Sequence, residues 1–409
     1  MTAASDVPLT LTTLQRLPHA ALVAMAAARG LPLRPQPAAD TLVALLLQHE
    51  LEARGSAVAA GVLDLLPEGY GFLRSPWRDY LPSADDVFVS PSLVRSLNLR
   101  QGHRLCGPLR GPRGNEKFFA LETITTVDDV DAATLAAQAP FQARTPIVAQ
   151  RPLRLATTTP ALRALAQLAP WCHGHRALVL TPPGWPRAAW LTALAAAVRT
   201  ADPAPWLCLC LLDQRPEAAA AARSALAALP RCEVVATTFD EAPARSLAVA
   251  ELTLARAQRE VETGADVVLL VDSLTALAQA AHVVQPATGR WLCPGLDAAA
   301  LGPGKRLFAA ARALAEGGAL TVIATADAGG GSIDEAVVQG FRGRGNSEVV
   351  VAADADPALP FDVLATRTRP EDCLGGGLAL ATRLRLHALD PQQRARAFAS
   401  LVELDQGPR

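Results

Sequence analysis

From about residue 151 the chain alternates continuous apolar runs with Ala- and Leu-rich stretches of helical length. The runs fall at 177–180, 206–212, 233–236, 267–271 and 320–324. Strands that are apolar on both faces belong in a parallel sheet covered by helices on each side. Residues 151–409 are therefore expected to form a parallel α/β domain. Between 60 and 126 the rhythm is shorter. Gly and Pro punctuate alternating stretches at 61–66, 86–89 and 117–121, a spacing that predicts a small β-barrel over 56–128. Before it, Leu11, Leu14, Leu17, Leu22, Val23 and Met25 recur at helical intervals. Prolines between 32 and 37 break the pattern, and 41–47 resumes it, so 1–55 is expected to be a small helical bundle. The polar, Ala-rich stretch 129–150 reads as a connector. The glycine tracts at 329–331 and 375–377 read as loops.

Charge narrows the functional classes. The net charge is −1, so no global basic field advertises nucleic-acid binding and any such surface must be local. Only two lysines occur, Lys117 and Lys305, beside abundant arginine. The seven cysteines are scattered, and Cys208 and Cys210 alternate within an apolar run as reduced core thiols would. Cys172-His173-Gly174-His175 has metal-ligand composition but no second ligand pair. A structural role is the expectation there, with no metal site. No apolar run is long enough to span a bilayer, so the expectation is a soluble, cytoplasmic protein with no membrane partner.

One local surface stands out in the barrel. Gly69-Tyr70-Gly71-Phe72-Leu73-Arg74-Ser75 places two aromatic rings at alternate positions, hence on one face of a strand. Phe88, Phe118 and Phe119 arise on other strands. Aromatics on an open barrel face stack single-stranded bases, with a nearby arginine taking phosphate; the same rings could instead fill the barrel core. Both readings stand on pattern alone.

The loop after the 177–180 run is where a nucleotide-binding α/β protein carries its phosphate cradle. That cradle needs G-x-x-x-x-G-K-[ST]: glycines whose N–H groups close on phosphate, a lysine for the terminal phosphates and a hydroxyl for Mg²⁺. Here the loop reads Thr181-Pro182-Pro183-Gly184-Trp185-Pro186-Arg187-Ala188. Prolines remove donors, and Arg187 and Ala188 replace the lysine and the hydroxyl. Asp272 ends an apolar run where an acid orients Mg²⁺-bound water, or where it could cap the next helix through Ser273. Gln214 ends another run where a general base is expected, and an amide cannot accept the proton. Gly302-Pro303-Gly304-Lys305-Arg306 is rejected as a phosphate loop, because it follows no strand and lacks the hydroxyl.

The order of these parts, with Gly69 to Ser75, Asp85-Asp86-Val87-Phe88-Val89-Ser90, Glu233 to Glu241, Lys305-Arg306-Leu307-Phe308 and Phe341-Arg342-Gly343-Arg344-Gly345-Asn346, resembles the bacterial transcription termination factor Rho family. The match runs from about Leu11 to Leu404. The resemblance implies a helical cap, an OB-like (cold-shock-like) barrel and a RecA-like α/β domain of P-loop-NTPase type. It implies a hexameric RNA-dependent ATPase and helicase that releases transcripts, and so acts on RNA polymerase indirectly. Residue by residue, it puts the primary RNA site on Tyr70, Phe72, Arg74, Asp86, Phe88, Glu116 and Phe118. It puts a central-pore loop at 284–294 with Arg290, and a second at 329–335 with Ser332 nearest the family's lysine. The nucleotide site maps to Pro183, Gly184, Pro186, Arg187, Ala188 and Arg215, with Gln214, Asp272 and a possible arginine finger at Arg369 as its catalytic set. The base-stacking aromatic maps to about Leu359. The expectation is an RNA-binding member that has lost ATP hydrolysis and needs no cofactor, alone or mixed with active Rho subunits. Two alternatives remain: an active ATPase using ATP and Mg²⁺ through an atypical loop, or a protein whose main partner is a Rho hexamer.

Overall fold

The computed structural model describes residues 9–404 apart from 34, 133, 135–138, 354, 370, 371, 373–377 and 379. The glycine tract at 375–377 and the first eight residues of the expected bundle lie outside the described residues. The chain forms two compact units. One takes residues up to Ala139 together with Leu252–Arg259; the other takes Pro140–Glu251 and the chain from Glu260 onward.

The first unit begins with α1 (Leu11–Gln15), α2 (His19–Ala28) and α3 (Ala39–Arg54). Thr10 caps α1 by accepting the Thr13 N–H at 3.1 Å. The third helix stops at Gly55, whose φ of 70° suits a residue without Cβ. The barrel strands are β1 (Val58–Leu65), β2 (Gly71–Arg74), β3 (Val87–Val89), β4 (Arg104–Arg110), β5 (Phe119–Leu121), β6 (Thr126–Val127) and β7 (Val130–Asp131), with α4 (Pro91–Ser96) after β3. They run β1-β2-β3-β5-β4-β6-β7, and β1 also pairs with β4 to close the ring. Closure is tight: a Cβ on Gly107 would stand 2.1 Å from the Thr123 carbonyl oxygen. Leu11, Leu14, Leu42 and Leu46 of the helices share one core with Leu63, Leu73, Val87 and Leu105 of the barrel.

The second unit holds β8 (Pro146–Ile147), α5 (Pro160–Leu168), β9 (Arg176–Thr181), α6 (Arg187–Ala201), β10 (Trp206–Gln214), α7 (Pro216–Leu226), β11 (Cys232–Thr238), α8 (Pro243–Glu262) except its Leu252–Arg259 stretch, which belongs to the first unit, β12 (Asp266–Asp272) and α9 (Leu274–Val284). After them come β13 (Trp291–Cys293), β14 (Leu296–Asp297), α10 (Leu301–Ala309), β15 (Arg312–Leu314), β16 (Ala319–Asp327), α11 (Ser332–Phe341), β17 (Ser347–Val350), β18 (Arg367–Thr368), α12 (Leu380–His387) and α13 (Pro391–Leu404). The main sheet runs β11-β10-β12-β16-β9-β17-β18, with β15 on β16 and β8 on β15. Its neighbours from β11 to β17 are parallel, as runs apolar on both faces require. The stretch expected as a connector thus contributes β7 to the barrel and β8 to this sheet. The Gly302–Lys305 segment lies within α10.

Helix α6 buries Trp190, Leu191, Leu194 and Val198 against the sheet. Near the C-terminus, buried Arg383 donates to the carbonyls of Val363 at 3.0 Å and Leu378 at 2.8 Å, tying α12 to the chain that follows β17. This arrangement leaves the carboxyl ends of β9, β10, β12 and β16 side by side, where open parallel sheets collect ligands.

Candidate nucleic-acid face and nucleotide site

The barrel brings four of the expected aromatics together. Phe72 and Phe88 are paired residues across β2 and β3, so their rings share a face. Their centroids are 5.9 Å apart. Tyr70 lies 6.0 Å from Phe72 and 5.5 Å from Phe88, and Phe118 lies 5.0 Å from Phe72. Three contacts are edge-to-face, the arrangement the ring quadrupoles prefer. All four residues are half-buried, leaving ring surface open to solvent. Phe119, which the resemblance leaves out of the RNA site, lies on the other side. It sits 5 % exposed in the core, because residues 118 and 119 are neighbours in extended chain and must point to opposite sides.

Arg74 is held beside this face. Its guanidinium carbon is 5.3 Å from the Phe72 centroid, its Nε donates to Asp64 Oδ2 at 2.9 Å, and its Nη1 bonds Asp86. Asp86 also accepts the Ser83 N–H at 2.7 Å. Burial raises the Asp86 carboxyl to about 6, against the lowering pull of the Ser83 N–H and of Arg74. Asp64 was missed by sequence reading. Its role follows from the β1–β2 register, which pairs it with Phe72, and no local motif announces it. Glu116 grips Arg110 in a fork at 2.5 and 2.9 Å and accepts the Arg113 N–H at 3.0 Å. Those bonds, led by the Arg110 pair, draw its carboxyl down to about 2. Glu116 therefore fixes the turn that leads into Phe118.

In the second unit the loop between β9 and α6 turns its own donors inward. The Trp185 N–H bonds the Pro182 carbonyl at 3.3 Å, and the Arg187 N–H bonds the Trp185 carbonyl at 2.8 Å. Pro182, Pro183 and Pro186 have no N–H to offer. Pro183 and Gly184 are exposed, and Pro186 stands at the N-cap of α6.

Arg187 bends back over the ends of β12 and β16. Its Nε lies 2.8 Å from Asp272 Oδ1, a contact of opposite charges that is not an aligned hydrogen bond. Its Nη1 bonds Asp327. Asp272 is 1 % exposed and accepts the Thr325 hydroxyl at 2.8 Å. Burial raises its carboxyl, while Arg187, Thr325 and Gln214 work to keep it charged. The hydroxyl of Ser273, not Asp272, caps α9 by accepting the Ala276 N–H at 3.1 Å. Gln214 spends its amide N–H on the Leu212 carbonyl at 3.0 Å. Asp327 and Thr325 were not anticipated from sequence, because only the β9–β16 pairing sets Asp327 opposite Thr181 at the mouth of the loop. Ala188 follows Arg187 in the first turn of α6, and Arg215 is an exposed N-cap of α7.

The position expected beside the base is in the protein core. Leu359 is 3 % exposed and shares a core with Phe361, Trp190 and Trp185. The Trp185 and Trp190 rings are 5.5 Å apart. Other expected residues stand apart from this cluster. Arg290 is exposed in the loop before β13, a loop pinned where Asp297 accepts the Thr288 N–H at 2.9 Å and its hydroxyl at 2.8 Å. Ser332 opens α11 and lines one groove with Lys305. Arg369 folds onto the Gly343 carbonyl. At the Cys172–His175 cluster, His175 Nδ1 accepts the Cys172 N–H at 3.1 Å. Burial lowers the His175 imidazole to about 4. Among the described residues no helix is long and apolar enough to cross a membrane.

Comparison with known proteins agrees with this geometry. Residues 59–133 match the family model described as "Rho termination factor, RNA-binding domain", a span that encloses the aromatic cluster. The chain is 36 % identical over 375 residues to the transcription termination factor Rho of Cereibacter sphaeroides, covering 90 % of this chain and 88 % of that one. It is 36 % identical to the Rho of Rhodopirellula baltica, covering 90 % of this chain and 72 % of the other. With the Rho of Aquifex aeolicus it shares 38 % over 315 residues, covering 76 % and 72 %. The barrel, the α/β sheet and these identities along most of the chain have one explanation: the protein is a member of the transcription termination factor Rho family.

Proposed function

We propose that this chain binds single-stranded RNA on its barrel face and acts in Rho-dependent transcription termination without hydrolysing ATP. The observation that carries the second half is Arg187, whose guanidinium lies against Asp272 and Asp327. A Mg²⁺–triphosphate needs a cation-free acid at Asp272 and backbone donors facing outward. Here an internal cation is paired with the acid, and the loop's N–H groups at Trp185 and Arg187 are turned inward. Such residues do not fit the nucleotide, so no catalytic step is assigned to them. Gln214 in place of a carboxylate agrees independently.

The RNA half rests on the half-exposed rings of Tyr70, Phe72, Phe88 and Phe118, with Arg74 alongside. A chain that grips RNA and does not turn over would regulate termination by sharing RNA with an active Rho or by entering its hexamer. Its effect on RNA polymerase would then be indirect. The test is RNA-stimulated phosphate release by the purified protein, with Asp272→Ala as control. The expected result is no turnover in either. Turnover abolished by D272A would establish an active ATPase with an atypical loop. In parallel, Tyr70→Ala with Phe72→Ala should weaken oligocytidylate binding by about 1–3 kcal/mol per stacked base, and unchanged affinity would refute the face.

A further inference from the structure

We propose that the stacking track of the barrel continues past its four clustered rings to Trp77, where an indole backed by Arg16 holds one further base of single-stranded RNA. This site rests on the reading of the barrel face as an RNA surface and owes nothing to ATP hydrolysis. Trp77 lies outside the residues to which the resemblance assigns RNA, and its side chain is among the large apolar ones left exposed, at 44 %.

A fixed turn presents the ring. Strand β2 ends at Arg74 and leads into a single 3₁₀ turn, Pro76–Arg78. The Ser75 hydroxyl accepts the Trp77 N–H at 3.3 Å, and the Ser75 carbonyl takes the N–H groups of Arg78 at 3.0 Å and Tyr80 at 2.9 Å. Tyr80 is 3 % exposed and anchors the exit of the turn. Its φ of 57° is one that a bulky residue adopts only where its surroundings impose it. Helix α1 is tied to the same turn. Buried Asp85 accepts the Gln15 amide N–H on Oδ2 at 3.0 Å, and Arg78 Nη2 stands 3.7 Å from that oxygen. Gln15 and Arg78 are the chain neighbours of Arg16 and Trp77, so Asp85 brings cation and ring together.

The guanidinium carbon of Arg16 lies over the Trp77 ring, 4.8 Å from its centroid. One face of the indole is thereby covered and oriented, and the other is left for a base, as in single-strand binding platforms. Position makes RNA the occupant. Trp77 follows Phe72 by five residues, at most about 18 Å of chain, and an OB barrel tracks about 4–16 nucleotides of single strand. A strand lying on Tyr70 and Phe72 is long enough to reach it. A protein partner fits less well. Among the described residues of this unit the exposed large apolar side chains are Leu33 and Trp77 alone, whereas docking sites for proteins are marked by contiguous apolar patches of a few hundred Å² or more.

The experiment is calorimetric titration of the full chain with dicytidylate and with decacytidylate, with tryptophan fluorescence followed in parallel. Trp77→Ala should weaken decacytidylate binding about tenfold, the loss of one stacked base. It should leave dicytidylate, which the clustered rings hold by themselves, unchanged. Trp77→Phe keeps a ring and should retain most of the affinity while losing the indole's quenching by decacytidylate. Arg16→Gln should weaken decacytidylate about two- to fivefold at an unchanged salt slope; a slope shallower by about 0.7 would make Arg16 a phosphate contact and overturn its role as the backing of the ring. Decacytidylate binding equal in W77A and wild type, an equal loss for both oligonucleotides, or undiminished quenching in W77F would each overturn the proposal. The barrel face is judged separately: Tyr70→Ala with Phe72→Ala should weaken both oligonucleotides, and if it weakens neither, that face fails and this site with it.

Discussion

Arg187 lies against two carboxylates at the ends of β12 and β16. Its two carboxylate partners differ, since Asp272 is fully buried and Asp327 half-exposed. Removing the cation leaves the buried Asp272 carboxyl without its counter-charge, to be held ionised or protonated at a cost in either case. Arg187→Ala should therefore cost about 3 kcal/mol of stability, measured by urea unfolding. Adding Asp272→Asn should recover most of that loss, because the unmatched carboxyl is gone; a double variant as unstable as R187A would show that the pair is incidental. Asp86 offers a second residue-scale test, by pH. Its folded value of about 6 lies above the ordinary 3.8. Its contribution to stability is thus fully present below the unfolded value and is lost as pH rises through about 6. Relative to Asp86→Asn, the wild type should gain stability as pH falls from about 7.5 to about 5. A difference that stays constant, or grows in the opposite sense, would contradict the buried-carboxyl account.

At the scale of elements, legibility depended on whether information was local. The strands of the α/β sheet were visible because each is a continuous apolar run, and β9, β10, β11, β12 and β16 all include the runs seen in the sequence. The barrel face was half visible. Alternation put Tyr70 and Phe72 together, but nothing local could say which of Phe118 and Phe119 joined them. That choice is made by the β3–β5 and β4–β5 pairings, which commit Phe119 to the core. The two phenylalanines therefore make a paired prediction. Phe119→Ala should lose about 3 kcal/mol of stability as a large core truncation. Phe118→Ala should leave the unfolding midpoint nearly unchanged and weaken RNA binding. If both variants behaved alike in the two assays, the division of the strand into a core side and a stacking side would be wrong. That the loop between β9 and α6 departs from the G-x-x-x-x-G-K-[ST] pattern was legible in the sequence. Where the arginine had gone was not, because its target is set by Asp327 at the end of β16, some 140 positions away along the chain.

For the whole molecule, the balance of charge sets how RNA should be held. The net charge is −1, and the arginine beside the stacking rings is already matched by Asp64 and Asp86. Any phosphate approaching Arg74 must displace a carboxylate, so little counterion release is available on the barrel. Affinity should come chiefly from rings, which are indifferent to salt. For single strands the logarithm of the binding constant falls with that of salt by about 0.7 per phosphate neutralised. One or two contacts through Arg74 and the exposed Lys117 then give a slope between about −0.7 and −1.4. Measuring oligocytidylate binding between low and high salt decides the matter. A slope several times steeper would mean that a basic surface carries the affinity and that the aromatic face is secondary. A shallow slope that steepens in Asp86→Asn, where Arg74 is released from one partner, would identify the paired arginine as the element that limits charge contact with RNA.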